Sequence, residues 1–454
     1  NIFEITIIHS VIDIFAGAGG LGEGFSRTGF KLHLSCDSDS TSCETLMTRE
    51  YFRELQTRKN LDQYDQYLNQ YEPLNYFTGE NSLYKAILEK VLHLELDEDN
   101  IDYFKDAVLD KLSGHELDVL VGGPPCQAYS LAGRSRDIHN KTKDPKHFLF
   151  RVYLKIIERL RPKFFLYENV PGLLTASTDE GETSVLFEKE FFYLKTPYII
   201  LPKWKSQENL FQETSFQIKN HIIDMSEYGV PQKRKRVLLI GVRKDIFNEY
   251  SEDLNNFWLE FKKLKESPVT CGHALSGLPN LKPGAGNNRR YDKGYNNEKF
   301  STYAKSLKSE FGVLNHQARS HMKSDLKRYK YFIKNSVNGY KPTLIDLGRD
   351  HPELLPNHKN LNIFIDRFKV QVSDQPASTI TAHLQKDGHY YIHPDIKQLR
   401  SLTVREAARI QGFPDDYFFE GNRGKQYKQV GNAVPPIFAA KLASHIRHYL
   451  DLFK

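Results

Sequence analysis

Three glycines, spaced Gly17-x-Gly19-x-x-Gly22, stand between an apolar run, Val11 to Phe15, and a stretch that continues as a helix. A strand that turns into a helix through such glycines fits the opening of a nucleotide-binding βαβ unit, a weak signal alone that gains from the strand before it, the helix after it and the acid beyond. The next strand, Lys31 to Cys36, ends on an acid, Asp37, 20 residues after Gly17. In that position a carboxylate holds a pair of ribose hydroxyls. The expectation is an α/β fold, doubly wound and mostly parallel, with a nucleotide-like cofactor at its first turn.

A second strand end is equally distinctive. Leu117 to Val121 reads as a short buried strand, and Gly122-Gly123-Pro124-Pro125-Cys126 follows it directly. The two prolines fix φ and remove two N–H donors, so the loop is stiff and belongs to no sheet. Cys126 thus sits where α/β folds place chemistry, although a lone cysteine also reads as a buried thiol in a turn. Glu168 ends the strand Lys163 to Tyr167 as Cys126 follows its own, so both can face one crevice. A surface acid beginning a turn is the other reading of Glu168.

The chain has 454 residues, enough for two or three domains, and its net charge of +6 is unevenly placed. Residues 243–375 hold 23 Lys/Arg against 15 Asp/Glu, while residues 50–112 hold 7 against 14. The first region is built for a polyanion and the second is not. Within the first, Arg319 to Lys334 interleaves basic residues, Lys327 and Arg328 among them, with Tyr329, Tyr331 and Phe332. That mixture suits nucleic acid, and equally a solvated basic helix. Four cysteines show neither metal spacing nor a disulfide framework, so no metal is expected and the compartment reads as cytoplasmic. No run approaches the roughly 18 apolar residues of a membrane span.

Three further stretches matter. Ala132 to His147 is polar and basic, with Arg134, and reads as a loop able to close on a substrate. In Gly229 to Arg236, strand alternation puts Gln232, Arg234 and Arg236 on one face and two lysines on the other. Thr403 and Glu406 form a capping box at the head of a helix in Arg400 to Pro414.

Taken in order, these blocks resemble the C5-cytosine DNA methyltransferases of the bacterial and phage modification type. The stretch Gly122 to Ser130 is similar to the family's GGPPCQGFS, Asp13 to Gly20 to its DLFAGxGG, Glu168-Asn169-Val170 to its ENV, and Gln232 to Arg236 to its QxRxR. The resemblance covers residues 11–44, 117–172, 221–243 and 375–440. It implies an S-adenosylmethionine-dependent methyltransferase domain of Rossmann-like architecture over 1–242, carrying an acidic helical insertion at about 47–112. A smaller irregular target-recognition domain over 243–390 and a returning C-terminal segment over 391–454 complete it.

The implied chemistry is transfer of the methyl group of S-adenosyl-L-methionine to C5 of a flipped-out cytosine in duplex DNA, leaving S-adenosyl-L-homocysteine. Cys126 is implied as the nucleophile. Glu168 would bind N3 and the exocyclic amine, Arg234 would hold the base's O2 side, and Arg234 and Arg236 would favour the thiolate. The implied cofactor residues are Phe15, Gly17, Gly19, Gly20, Asp37, Asp102 for the adenine amino group, Leu149, Asn432 and Ala433. Gln127, Ser130, Arg134, Gln232, Thr379, Lys327 and Arg328 are expected at the DNA. The resemblance fits a monomer, with any cognate restriction endonuclease acting separately. Three other readings stay open on the residues: an RNA cytosine-5 methyltransferase on the same scaffold, an inactive DNA-binding regulator, and a dinucleotide-dependent oxidoreductase resting on the glycines alone.

Overall fold

The computed structural model describes residues 8–70, 72, 74, 82–125, 149–175, 177–178, 181–182, 188–191, 197–202, 218–291, 293–295, 299–337, 339–357 and 364–453. Cys126, Gln127, Ser130 and Arg134 lie outside them.

The central sheet starts with β1 (Ser10–Ile14), β2 (Lys31–Asp37), β3 (Val91–His93), β4 (Val119–Gly122) and β5 (Phe164–Asn169), all parallel where they pair. It adds β6 (Tyr198–Ile200), β7 (Ile222–Asp224) and β9 (Lys235–Arg243), with β8 (Gln232–Lys233) a separate short strand between the last two. The spatial order is β3-β2-β1-β4-β5-β9-β6, and β9 runs antiparallel to β5, β6 and β7. The chain leaves β1 for β2 on one side and reaches β4 on the other, so a crevice opens at the carboxyl end of β1, where α/β proteins bind ligands.

Strands buried on both faces read as continuous apolar runs, as β4 and the first residues of β5 do. Val11, Val121, Phe164 and Leu166 pack against helices α1 (Gly20–Arg27) and, at the end of the chain, Pro436–Leu450. Ile12, Ile14, Phe165 and Tyr167 pack on the opposite face. That face is covered by α5 (Ile101–Leu112) and α6 (Leu149–Leu160). Gly20 is needed for the first contact, because a Cβ there would lie 2.0 Å from the Val434 carbonyl oxygen. The C-terminal segment therefore seats directly on the glycine turn.

Two expected boundaries move. Within 47–112, expected as one helical insertion, the described helices are α2 (Ser40–Thr57), α3 (Asp62–Asn69) and α4 (Ser82–Leu88). Residues 91–112 are β3 and α5, ordinary parts of the sheet and its cover; β3 is three residues long and too short to show alternation. The change of domain expected at 243 falls inside the first core instead. Phe257, Trp258 and Phe261 are buried with Phe438 and Leu442, so composition shifted before the packing did.

The remaining chain holds the hairpin β10 (Gly286–Tyr291) and β11 (Val313–Gln317), helix α7 (Lys323–Asn335), and the two-residue strand β12 (Ala377–Ser378), which pairs with β8. Helix α10 (Pro436–Leu450) returns to the first core, while α8 (Val404–Ile410) and α9 (Arg423–Asn432) pack with Ala377, Ile380 and Leu384 in a cluster that reaches Ala18 of the glycine turn. Thr403 caps α8 by accepting from the Glu406 N–H, with Glu406 answering in the expected capping box. The acidic α3 docks on the hairpin: Tyr64 meets Phe311 edge-on at 5.3 Å, Asp65 pairs with Arg290, and Arg289 donates to the Tyr67 carbonyl. Two cations of the basic region 243–375 are therefore taken up by contacts within the protein.

Candidate active site and nucleic-acid interface

β4 and β5 are neighbours, with Gly122 opposite Tyr167, so the loop that carries Cys126 leaves the sheet beside the end of β5. Glu168 is 8% exposed there, and its Oε1 forms an ion pair with Arg236, 2.8 Å from Nε. Gly123 passes over it so closely that a Cβ would lie 2.8 Å from Glu168 Oε2. Asn169 ties the two strand ends together. Its side-chain amide donates to the Tyr167 hydroxyl at 2.9 Å and to the Pro124 carbonyl at 3.4 Å, while its oxygen accepts from the Val170 N–H. Sequence reasoning gave Asn169 no separate role, and its place beside Glu168 was the only signal.

Alternation along Gln232 to Arg236 holds: Lys233 and Lys235 are exposed, and the other three turn inwards. What those three meet differs from expectation. Arg234 is fully buried and its guanidinium donates to main-chain carbonyls, to Ile380 at 2.9 Å, Ala433 at 2.8 Å and Gly431 at 3.4 Å. It is a rivet between the strand and the C-terminal segment, and the cation at Glu168 is Arg236. Gln232, expected at DNA, is also fully buried; it donates to the Ile410 carbonyl and accepts from the Ile380 N–H. The strand crosses from β8 into β9 here, so two of three inward residues fall inside the protein and only the last reaches the crevice.

On the other side of the crevice, Phe15 has a left-handed φ of 53° and a half-buried ring at the end of β1. Asp37 stands across from it. Its Oδ2 accepts from the Gly17 N–H at 2.7 Å and its Oδ1 from the Asp39 N–H at 2.8 Å. Burial raises its carboxyl above the usual range, against those two N–H groups. Beneath the turn, Asp13 Oδ2 accepts from the Gly22 N–H at 2.9 Å, and burial pushes that carboxyl up to about 7. A Cβ on Gly17 would meet nothing within 4 Å among the described residues, so space lies open above the turn beside the Asp37 carboxylate. Asn432 is exposed at the end of α9, next to Ala433, and Leu149 is half-buried at the start of α6.

Asp102 is not in this group. It lies on the outward side of α5, 71% exposed, and pairs with Arg159 at 3.1 Å. The strand end that does approach Asp37 is that of β3, where His93 is opposite Asp37.

A cleft of about 570 Å³ opens beside Arg236, lined also by Pro171, Asp224, Ser226, Lys233, Lys235 and Thr379. Thr379 donates to the Lys233 carbonyl and is half-exposed to the cleft. On α7 the expected mixture of bases and aromatics separates by face. Tyr329, Tyr331 and Phe332 are buried against Phe368, Leu344 and Leu347, so they have no free ring for a base. Arg328 is tied down as well, to Asp325 and to the Leu354 and Leu355 carbonyls. Lys323, Lys327, Lys330 and Lys334 remain exposed, at helical spacing along one side.

This sheet order, with an acid and a stiff glycine–proline loop at the ends of adjacent strands beside a glycine turn, defines a doubly wound methyltransferase-type enzyme. A solved structure of a DNA modification methyltransferase encoded within an E. coli prophage shares the fold, with a TM-score of 0.55 at 21% identity over 98% of this chain and 99% of that one. Residues 81–448 match the family model for C-5 cytosine-specific DNA methylase. Type II methyltransferase M.Bpa9945I of Bacillus paralicheniformis is 38% identical, over 97% of this chain and 99% of its own. Type II methyltransferase M1.HphI of Haemophilus parahaemolyticus is 27% identical, over 96% and 86%. The chain belongs to the C-5 cytosine-specific DNA methylase family and is a DNA cytosine-5 methyltransferase.

Proposed function

We propose that the protein methylates C5 of a cytosine extruded from duplex DNA, through a covalent bond between Cys126 and C6, as the modification enzyme of a type II restriction-modification system. The observation that carries this is the Arg236–Glu168 pair at the end of β5, directly under the loop that leads to Cys126. Addition of the Cys126 thiolate at C6 makes C5 nucleophilic. Glu168 hydrogen-bonds N3 and the exocyclic amine, and gives N3 a proton as charge builds there. Arg236 pairs with the Glu168 carboxyl through Nε and donates from Nη1 to the Lys235 carbonyl, which leaves Nη2 to face the O2 side of the base. C6 is out of reach inside a stacked helix, so the cytosine must leave it. Bisulfite sequencing of DNA from cells that express the protein tests the reading and reveals the target; absence of any new 5-methylcytosine would overturn it.

S-adenosylmethionine is the cofactor this site fits, and it supplies an electrophilic methyl group on a sulfonium sulfur. Asp37 would take the ribose hydroxyls, Phe15 the adenine face, and Gly17, Gly19, Gly20, Asn432 and Ala433 the adjoining backbone. Asp37→Ala is expected to weaken cofactor binding roughly tenfold or more, the loss of a hydrogen bond to a charged group, with DNA affinity retained. Calorimetry showing unchanged cofactor affinity would move the site elsewhere.

For DNA, the exposed lysines of α7 and those around Arg236 supply the phosphate contacts. Lys327→Glu should lower DNA affinity and reduce the salt slope by about one unit. Arg328→Glu should act on stability, since its charge is already used inside. Neutralising Asp97, Glu98 and Asp99 should leave DNA binding as it is. A protection map centred on those three acids would contradict this surface.

A further inference from the structure

Lys233 and Thr379 line the cleft at Arg236 and also a second, larger groove of about 800 Å³, so the two form one continuous surface. The larger groove carries five cations, Lys233, Lys341, Arg367, Lys369 and Lys386, against two carboxylates. Both acids are engaged: Asp387 accepts from Arg367 at 3.0 Å, and Asp366 accepts from the Tyr390 hydroxyl at 3.4 Å. Lys233, Lys341 and Lys386 stand exposed, so the net field is that of a polyanion site.

Among the described residues of this groove one aromatic ring stands exposed, Phe364, at 60%. A single exposed apolar side chain is ordinary. The setting of this one is not, because the backbone on its C-terminal side is pinned. The Phe364 carbonyl accepts from the Arg367 N–H at 3.2 Å, and the Ile365 carbonyl accepts from the Leu344 N–H at 2.8 Å. Four residues on, Phe368 is buried and stacked on Phe332 at 5.3 Å and 18°. A phenyl ring is therefore held out into a cationic groove by a firm base. The partner that is anionic outside and offers flat apolar faces inside is stacked nucleic acid.

We infer that Phe364 inserts between bases of the duplex beside the target cytosine and holds open the step from which that base has left. This rests on the proposed action on an extruded base. The lysines grip the strand's phosphates while the ring replaces stacking that the departing cytosine gives up. Its contribution is largest where extrusion costs most, at a fully paired target, and smallest where the target is mismatched or missing.

The test uses the full chain and two duplexes carrying the site found by bisulfite sequencing, one paired and one abasic at the target, with 2-aminopurine as the neighbouring base. Phe364→Ala should bind the paired duplex about tenfold more weakly, the value of one stacking contact. It should show a smaller 2-aminopurine fluorescence rise there, and bind the abasic duplex within about threefold of wild type. Phe364→Trp should restore most of the loss. Equal losses on both duplexes would make the ring a plain contact and overturn the inference, as would unchanged binding to the paired duplex. Circular dichroism of Phe364→Ala should match wild type, as expected for an exposed side chain. If the wild-type protein itself leaves no 5-methylcytosine, the functional reading fails; if it does and Phe364→Ala behaves identically, only the role of Phe364 fails.

Discussion

Cys126→Ser is expected to abolish methyl transfer, by roughly 10³-fold or more, the scale on which enzymes lose a covalent nucleophile. A hydroxyl is far less ionised near neutral pH than a thiol, whose free pKa is about 8.5. The other three cysteines are poor substitutes. Cys36, Cys43 and Cys271 are buried, and burial pushes all three thiols up, away from the reactive form. The exchange is nearly isosteric, so folding and cofactor binding should persist. DNA with 5-fluorocytosine at the target should trap the wild type covalently, because fluorine cannot leave as a cation and the final elimination stalls with the thioether intact. Peptide mapping should find the adduct on Cys126. Wild-type turnover by the serine variant, or an adduct on Cys36, Cys43 or Cys271, would sink the assignment.

Much of this was legible before the fold was known, for local reasons. Glycine spacing, paired prolines and strand-end acids are constraints of the backbone, and a backbone constraint is written in adjacent residues. The strand ends at Gly122 and Asn169, the turn at Gly17 and the cap at Thr403 follow from such signals. What stayed hidden depended on partners distant in sequence. A basic residue looks the same whether it meets phosphate or a carbonyl, and Arg328 meets the carbonyls of Leu354 and Leu355. Alternation put Gln232, Arg234 and Arg236 on one face without revealing that the face is covered by Ile380, Gly431 and Ala433 until its last residue. Asp102 was misplaced because β3 is only three residues long, so the next acid on a helix stood in for the strand end.

The two arginines of that strand should separate cleanly by experiment. Arg234→Ala removes a guanidinium that serves three main-chain carbonyls inside a fully buried site. It should cost roughly 3 kcal/mol or more of stability, through unsatisfied carbonyls and an unfilled volume. Because Gly431 and Ala433 flank Asn432, cofactor affinity should fall with it. Arg236→Ala spares those carbonyls, since Arg236 lies at the crevice with its Nε 2.8 Å from Glu168 Oε1, but it leaves a largely buried carboxylate without this cation. Its melting temperature should fall less than that of Arg234→Ala, while kcat falls about 10²-fold, the usual effect of losing one positioned donor at a reacting group. Lysine at 236 should recover only part of the activity, because a point charge cannot hold the Glu168 carboxyl and face the base at once. Thermal melts and single-turnover methylation of the four proteins, wild type included, decide the matter. A stable, inactive Arg234→Ala beside an unfolded Arg236→Ala would reverse the two roles.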